Sequence, residues 1–464
     1  MEQWRLVRAS RRPEQYRSRP LYRWAAVFLA GVVLGSFSMP VQAAETTRKP
    51  VTISFWNWWD GTRIPVMNQI IKEFHQRYPW ITVKSEVQGW DNISAKMLAA
   101  YASGSPPDVL MARRAEITAL ADMGAIRPIT DLVARDKLDL NMFYPAEVEA
   151  FRYDGQLWSL PLPTVTANDD FYFYNREMFD AAGLDPNRPP ETWSAMLEAN
   201  RKLTRRDESG SISQLGVRAS PSEFIPFLYS NNGRFLSPDL RKVAFDGLEG
   251  KQAAQFISDI ATMNGGGKQT EFFSRYDTAT GAAFMHGREA ILFENVSVMN
   301  LIIQDAVKTG RRLDWWGLGF IPYNDKNPKA KSTGVAGLSF GWGYVMPKNL
   351  PPDKQEAAWL WIKFLTTDPM GGGLLMFAQG RPAPVRAFNE NPEYRKLNPN
   401  WDKLLRAMET DVAFPAIPIQ TDLVNAVIDR FWSVANASVS PDDALTKAAQ
   451  TAQNALDKYW AKRR

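Results

Sequence analysis

The chain has 464 residues, 45% hydrophobic and 23% charged, with no Cys and two His. The lack of Cys excludes disulfides, thiolate metal sites, Cys nucleophiles and a lipid-modified Cys behind a leader. The net charge of +5 resides in the N-terminal segment, where seven Arg stand against two Glu before residue 44, so it gives no ground for a nucleic-acid partner.

That segment reads as an export leader, residues 1–43. Arg5 to Arg23 form the charged region, Trp24 to Phe37 an uncharged apolar run, and Val41-Gln42-Ala43-Ala44 a small-residue cleavage site. Retention as a membrane anchor is the alternative, though the run is short for a span.

The first element of the mature chain is a strand. Val51, Ile53 and Phe55 alternate with Thr52 and Ser54, and Trp56-Asn57-Trp58-Trp59-Asp60-Gly61 ends it. Met67, Ile70, Ile71 and Phe74 then have helical spacing, closed by Tyr78-Pro79. Ile81, Val83 and Val87 mark a second strand, and Ile93, Met97, Leu98 and Tyr101 a second helix. Asp108–Met111 is a short buried strand, and Ala115–Met123 a helix stopped by Gly124. Strand alternating with helix predicts an α/β fold on a largely parallel sheet.

Further along, Gly155–Thr166 reads as an extended crossing segment and Phe171–Tyr174 as a strand. Thr192 caps a helix beginning at Trp193. Ala290–Phe293 is strand-like, Ala357–Leu365 is a Trp-rich helix, and Pro441–Arg464 is a terminal helix. No low-complexity linker separates these parts, which favours two lobes joined by several crossings over two separate domains.

The stretches VTISFWNWW, IIKEFHQRYPWITVKSEV, SGSPPDVL, DGQLWSLPLPTVTANDDFYFYNREMFDAAGLDP, PETWSAMLEANRKLT, GREAILFENV, GWGYVMPK, EAAWLWIKFLTTDP and SPDDALTKAAQTAQNAL carry a resemblance. The chain resembles the extracellular solute-binding proteins of ABC importers, in the carbohydrate-binding family 1 related to maltose- and glycerol-phosphate-binding proteins. This implies a two-lobe periplasmic-binding-protein fold with a ligand cleft between the lobes. Residues 44–163 plus 340–395 would form one lobe, and 164–339 plus 396–464 the other. Crossings are expected near Pro161–Thr166, Ser339–Tyr344 and Arg395–Trp401. The resemblance also implies a periplasmic monomer that takes a carbohydrate ligand, closes by hinge motion, and docks on inner-membrane ABC permease subunits coupled to a cytoplasmic ATPase.

Residue chemistry and family position together nominate the ligand contacts. Trp58 and Trp59 lie just past a strand's carboxyl end, where α/β sheets bind ligands, and an indole face suits the C–H face of a sugar; at least one of the adjacent Trp is expected in the core. Gln88 and Trp90 follow the second strand. Arg113 and Arg114 follow the third and offer donors to hydroxyls or to an acidic group, such as that of a uronate or sugar phosphate; an exposed helix-start pair is the alternative. Asn168, Asp169 and Asp170 follow the first crossing, as hydroxyl acceptors or as turn residues. Glu294 and Asn295 end another strand. Gly341 and Trp342 lie at the second crossing, and Arg381 follows Gly380.

Catalytic readings are weaker. Gly337-Leu338-Ser339-Phe340-Gly341 matches a nucleophile elbow, but His75 and His286 both precede it, whereas that chemistry needs a His after the Ser. Gly265–Thr270 lacks the phosphate-loop spacing. No cofactor and no metal site is expected. A secreted carbohydrate-active hydrolase using two carboxylates and a non-transport lectin are the competing classes.

Overall fold

The computed structural model describes residues 48–89, 93–164, 171–276, 279–338 and 341–463. The chain divides into Met1–Ala44 and Glu45–Arg464, and every described residue belongs to the second unit. The leader, Trp90, Asn168, Asp169, Asp170 and Ser339 therefore lie outside the described residues.

Two sheets organise the described chain. Strands β1 (Val51–Asn57), β2 (Ile81–Val87) and β3 (Val109–Arg113) run parallel, joined by helices α1 (Arg63–Arg77) and α2 (Ile93–Ala102). Helix α3 (Arg114–Asp122) leaves β3 directly, and short α4 (Pro145–Glu149) follows. The second sheet takes β4 (Phe171–Asn175), β5 (Arg205–Arg206), β6 (Ile212–Val217), β7 (Glu289–Leu292) and β8 (Trp316–Phe320). Strand β9 (Trp342–Val345) returns to the first sheet, giving the order β9-β3-β1-β2; the second sheet reads β8-β4-β7-β6-β5.

The first sheet follows the sequence pattern. In β1 the buried face is Val51, Ile53, Phe55 and Asn57. Phe55 meets Trp361 edge-on at 5.4 Å, and Phe74 of α1 meets the same indole at 5.0 Å, so helix α5 (Pro352–Thr367) closes one face. Each such contact contributes about 0.5–1.5 kcal/mol beyond the burial itself.

The second sheet departs from the parallel expectation. Strand β4 is antiparallel to both neighbours, β7 and β8, and only β6 and β7 pair in parallel. Gly317 and Gly319 of β8 lie under the rings of Tyr174 and Tyr172; a Cβ at either would sit 2.4 Å or 2.2 Å from a ring carbon. The core beneath this sheet includes Trp193 stacked on Phe256 at 4.6 Å, and also Leu338, Phe414 and Ile417. Leu338 thus belongs to the second core and Trp342 to the first sheet, so the chain passes between them over 339–341. The earlier passage runs beside it, where Leu162 N donates to Trp342 O at 3.0 Å.

Candidate functional site

Three parallel strands and one antiparallel strand bring their ends together at one edge of the first sheet. Because Trp342 at the start of β9 pairs with Arg113 at the end of β3, that edge collects the residues after β1, β2 and β3 and the residues before β9. Asn57 ties it together: its carbonyl accepts from Gln88 N at 2.8 Å, its amide donates to Ser85 Oγ at 2.9 Å, and its Oδ1 accepts from Trp59 N at 3.0 Å. Asn57 has no exposed surface, so it positions its neighbours instead of meeting a ligand.

The two adjacent indoles are both sealed. Trp59 is 2% exposed, and its Nε1 donates to the Tyr344 hydroxyl at 2.9 Å. Trp58 is fully buried, donates to Gly89 O at 3.2 Å, and lies 5.8 Å from the Trp342 ring. The expectation that they stack directly on a sugar therefore does not match this conformation. The loop after β1 turns both rings inward, and Trp58 backs Trp342. Arg113 remains at the edge, its guanidinium 6.0 Å from the Trp342 centroid while it pairs with Glu116 at 2.6 Å.

Arg114 has a different task. Its Nε donates to Ala150 O at 2.7 Å, Nη1 to Gly337 O at 3.2 Å and to Gln420 Oε1, and Nη2 to Phe414 O at 2.6 Å. Burial pulls its pKa down to about 10. Its donors are committed to protein acceptors on both sides of the 339–341 passage, which makes it a strut and not a ligand contact. Arg381 is also buried, at 8% exposed, but its Nε has no acceptor.

The second sheet presents a comparable edge. Since β6 and β7 are parallel, the residues after Val217 and after Leu292 lie side by side. Glu294 Oε1 accepts from Asn295 N at 2.9 Å and from the Asn295 amide at 2.5 Å, while Asn295 Oδ1 accepts from Ser297 N at 3.0 Å. Both residues are half-buried. Beside them is a residue that sequence reasoning missed. Glu223 has an enclosed Oε2 without a partner, although the residue as a whole is half-buried. Burial pushes its pKa up to about 7, against the pull of the Ser220 hydroxyl and Arg218, and the Glu294 charge adds to the rise. Arg218 lies 3.6 Å over the Phe273 ring. Neither Glu223 nor Arg218 was visible in the sequence, because β6 is interrupted by Gln214 and Gly216 and does not alternate cleanly.

Gln88, Arg113, Gly341 and Trp342 thus share one edge, and Glu294 and Asn295 share another. Among the described residues, no three His, Asp or Glu side chains converge as a metal site would require, and no helix is long and apolar enough to cross a membrane.

The chain is similar to the sn-glycerol-3-phosphate-binding periplasmic protein UgpB of Brucella abortus, with 25% identity over 286 residues, 58% of this chain and 61% of that protein. The match thus spans under two thirds of that relative's length. In structure it is similar to the sugar-binding protein MalE of Xanthomonas citri, with TM-score 0.74 and 19% identity over 89% of this chain and 100% of that one. It is also similar to the ABC substrate-binding protein Lmo0181 of Listeria monocytogenes in complex with cycloalternan, with TM-score 0.70 and 18% identity over 89% and 100%. These likenesses show the two-lobe fold. The family model for bacterial extracellular solute-binding proteins matches residues 69–397, and the chain belongs to that family.

Proposed function

We propose that this protein is the substrate-binding component of an ABC importer, capturing a sugar or oligosaccharide in the periplasm and delivering it unaltered to a membrane permease. The observation that carries the reading is the pair of sheet edges. One gathers Gln88, Arg113, Gly341 and Trp342; the other gathers Ser220, Glu223, Glu294 and Asn295. Hydroxyl-rich ligands suit such surfaces, with guanidinium donors, carboxylate acceptors and an aromatic ring. The solute-binding family, the glycerol-phosphate-binding relative and the sugar-binding structural neighbours support it. Residues 44–163 with 340–395 and residues 164–339 with 396–464 are the proposed lobes, and the chain acts as a monomer. Trp90, Asn168, Asp169 and Asp170 complete the proposed contacts.

Titration calorimetry with neutral mono- and oligosaccharides tests the reading. Saturable binding without release of reducing ends, with a drop in radius of gyration in solution scattering, is expected. Turnover of an oligosaccharide would replace the receptor with a hydrolase. Binding with no change in dimensions would favour a rigid lectin.

A further inference from the structure

Helix α3 is tied to the second half of the molecule at both ends. At its start, Arg114 donates to Gly337 O and Phe414 O. At its end, Asp122 Oδ1 accepts from the Tyr153 hydroxyl at 2.6 Å and from the Tyr459 hydroxyl at 3.4 Å, and it pairs with Arg463. Tyr153 stays with the first half, in a short hairpin (Arg152–Tyr153 with Gln156–Leu157) whose Leu157 O accepts from Ile129 N at 2.8 Å. Tyr459 lies in the terminal helix (Pro441–Ala461) and packs against the second core. Arg463 follows that helix, with its guanidinium 4.8 Å over the Tyr459 ring.

The two attachments lie toward opposite edges of the first sheet. Arg114 follows Arg113, on the edge that collects Gln88 and Trp342. The nine residues of α3 then run about 13 Å back along the sheet. Just past them, Ile126 bridges Pro347 and Lys348 N donates to Ala125 O at 3.1 Å, beyond the far end of β9. A rotation about the Arg114 strut that brings the second half toward the candidate ligand edge therefore draws the terminal helix away from Asp122. The carboxylate does not serve α3 itself. An acidic side chain at a helix C-terminus opposes the dipole, and the last turn of α3 has no basic residue to offset it. The partners of Asp122 all lie outside the helix.

We propose that Asp122 is a positioning residue: its contact with Tyr459 and Arg463 is a catch that holds the two halves apart at the ligand edge and releases when they close. This rests on the receptor reading and adds to it the group that sets how much closed form exists before ligand arrives. Bonds lost on closure lower the affinity for every ligand by the same factor, since binding must supply the difference. A half-buried carboxylate beside an exposed guanidinium makes a contact of modest strength that salt screens, which suits a catch that ligand binding can release.

The test is titration calorimetry on the purified chain with D-glucose, maltotriose and sn-glycerol 3-phosphate, beside a thermal melt. Asp122→Ala is expected to tighten every probe that binds the parent by one common factor, about three- to tenfold, and Arg463→Ala by a smaller common factor. Raising salt should tighten the neutral probes in the parent and leave them unchanged in Asp122→Ala. Asp122→Cys with Arg463→Cys, in a chain that has no other Cys, can be joined by a thiol-bridging reagent, and joining should weaken binding below that of the parent. Unchanged or weaker binding by Asp122→Ala overturns the inference, as does a change that differs from probe to probe, which would mark a ligand contact. A lowered melt with unchanged affinity assigns the cluster to stability alone. Each of those results leaves the receptor standing; a parent that binds none of the probes removes both readings.

Discussion

Arg114 Nη2 donates to the Phe414 carbonyl at 2.6 Å, and this bond joins a helix that leaves the first sheet to a segment in the second core. The same guanidinium holds Ala150 O and Gly337 O, and the Cβ a substitution would add at Gly337 meets Arg114 Cδ at 2.8 Å. The strut therefore occupies the place where the chain passes between the two halves. A solute-binding protein needs that region to bend without coming apart.

Removing the strut is expected to be costly. Arg114→Ala leaves the Ala150 and Phe414 carbonyls and Gln420 Oε1 without this donor, while Gly337 O keeps its bond from Gln420 Nε2, and it opens a void, for a loss of about 3–5 kcal/mol. Arg114→Lys keeps the charge but reaches fewer acceptors, and should lose about 2 kcal/mol. Urea unfolding measures both; a loss below about 1 kcal/mol in the Ala variant would mean the bonds are replaced by water.

Trp59 and Trp342 are expected to separate stability from binding. Trp59→Phe removes the donor to the buried Tyr344 hydroxyl, at about 1–2 kcal/mol of stability, with ligand affinity unchanged. Trp342→Ala should weaken saccharide binding by about 1–3 kcal/mol through loss of the ring at the edge and, because that ring is only 6% exposed and packs on Trp58, should cost stability as well. If Trp59→Phe weakens binding while leaving the melting temperature intact, the indole meets the ligand after all, in a conformation more open than this one.

These assignments show which parts of the molecule were legible in advance. The alternation of Val51, Ile53 and Phe55 announced β1, and the Trp59 neighbourhood was correctly placed at a strand's carboxyl end. The direction in which Trp58 and Trp59 turn was not legible, because it depends on Tyr344 and Trp342, nearly three hundred residues away. Arg114 looked like a ligand contact for the same reason, since its partner Gln420 lies 306 residues downstream. Local periodicity reports which face of an element is apolar, not which distant backbone carbonyls will converge on a polar head. The antiparallel pairing of β4 was likewise invisible, because parallel and antiparallel strands share the same apolar composition when both faces are buried.

The tyrosine–glycine packing in the second sheet gives a test of its geometry. Gly319→Ala places a Cβ within 2.2 Å of the Tyr172 ring, whose hydroxyl is held by Pro190 O at 2.6 Å and is not free to swing away. Overpacking of this kind costs about 1–3 kcal/mol. A double variant, Gly319→Ala with Tyr172→Phe, should recover part of the loss by releasing the hydroxyl tether. No recovery in a thermal melt would show that ring bulk alone sets the penalty.

Glu223 gives the pH dependence. Its ordinary value is 4.5 and its folded value about 7, so the folded state favours the protonated carboxyl. Below pH 4.5 the group is protonated folded or unfolded and adds no penalty. As pH rises from 4.5 through 7 the unfolded chain ionises first, and stability declines until the penalty is complete above 7. Because the residue is half-buried, with Arg218 and Ser220 opposing the rise and Glu294 reinforcing it, the loss should be about 1–2 kcal/mol and not the full value of the shift. Glu223→Gln should therefore match the parent in urea midpoint at pH 4.5 and exceed it by that amount at pH 8. Saccharide hydroxyls that donate to the ionised carboxylate would offset the same penalty, so ligand-induced stabilisation of the parent should grow with pH while that of the Gln variant stays flat. A stability difference between the two proteins that is constant from pH 4.5 to 8 would show that Glu223 titrates alike in the folded and unfolded chain, and that burial does not raise its pKa.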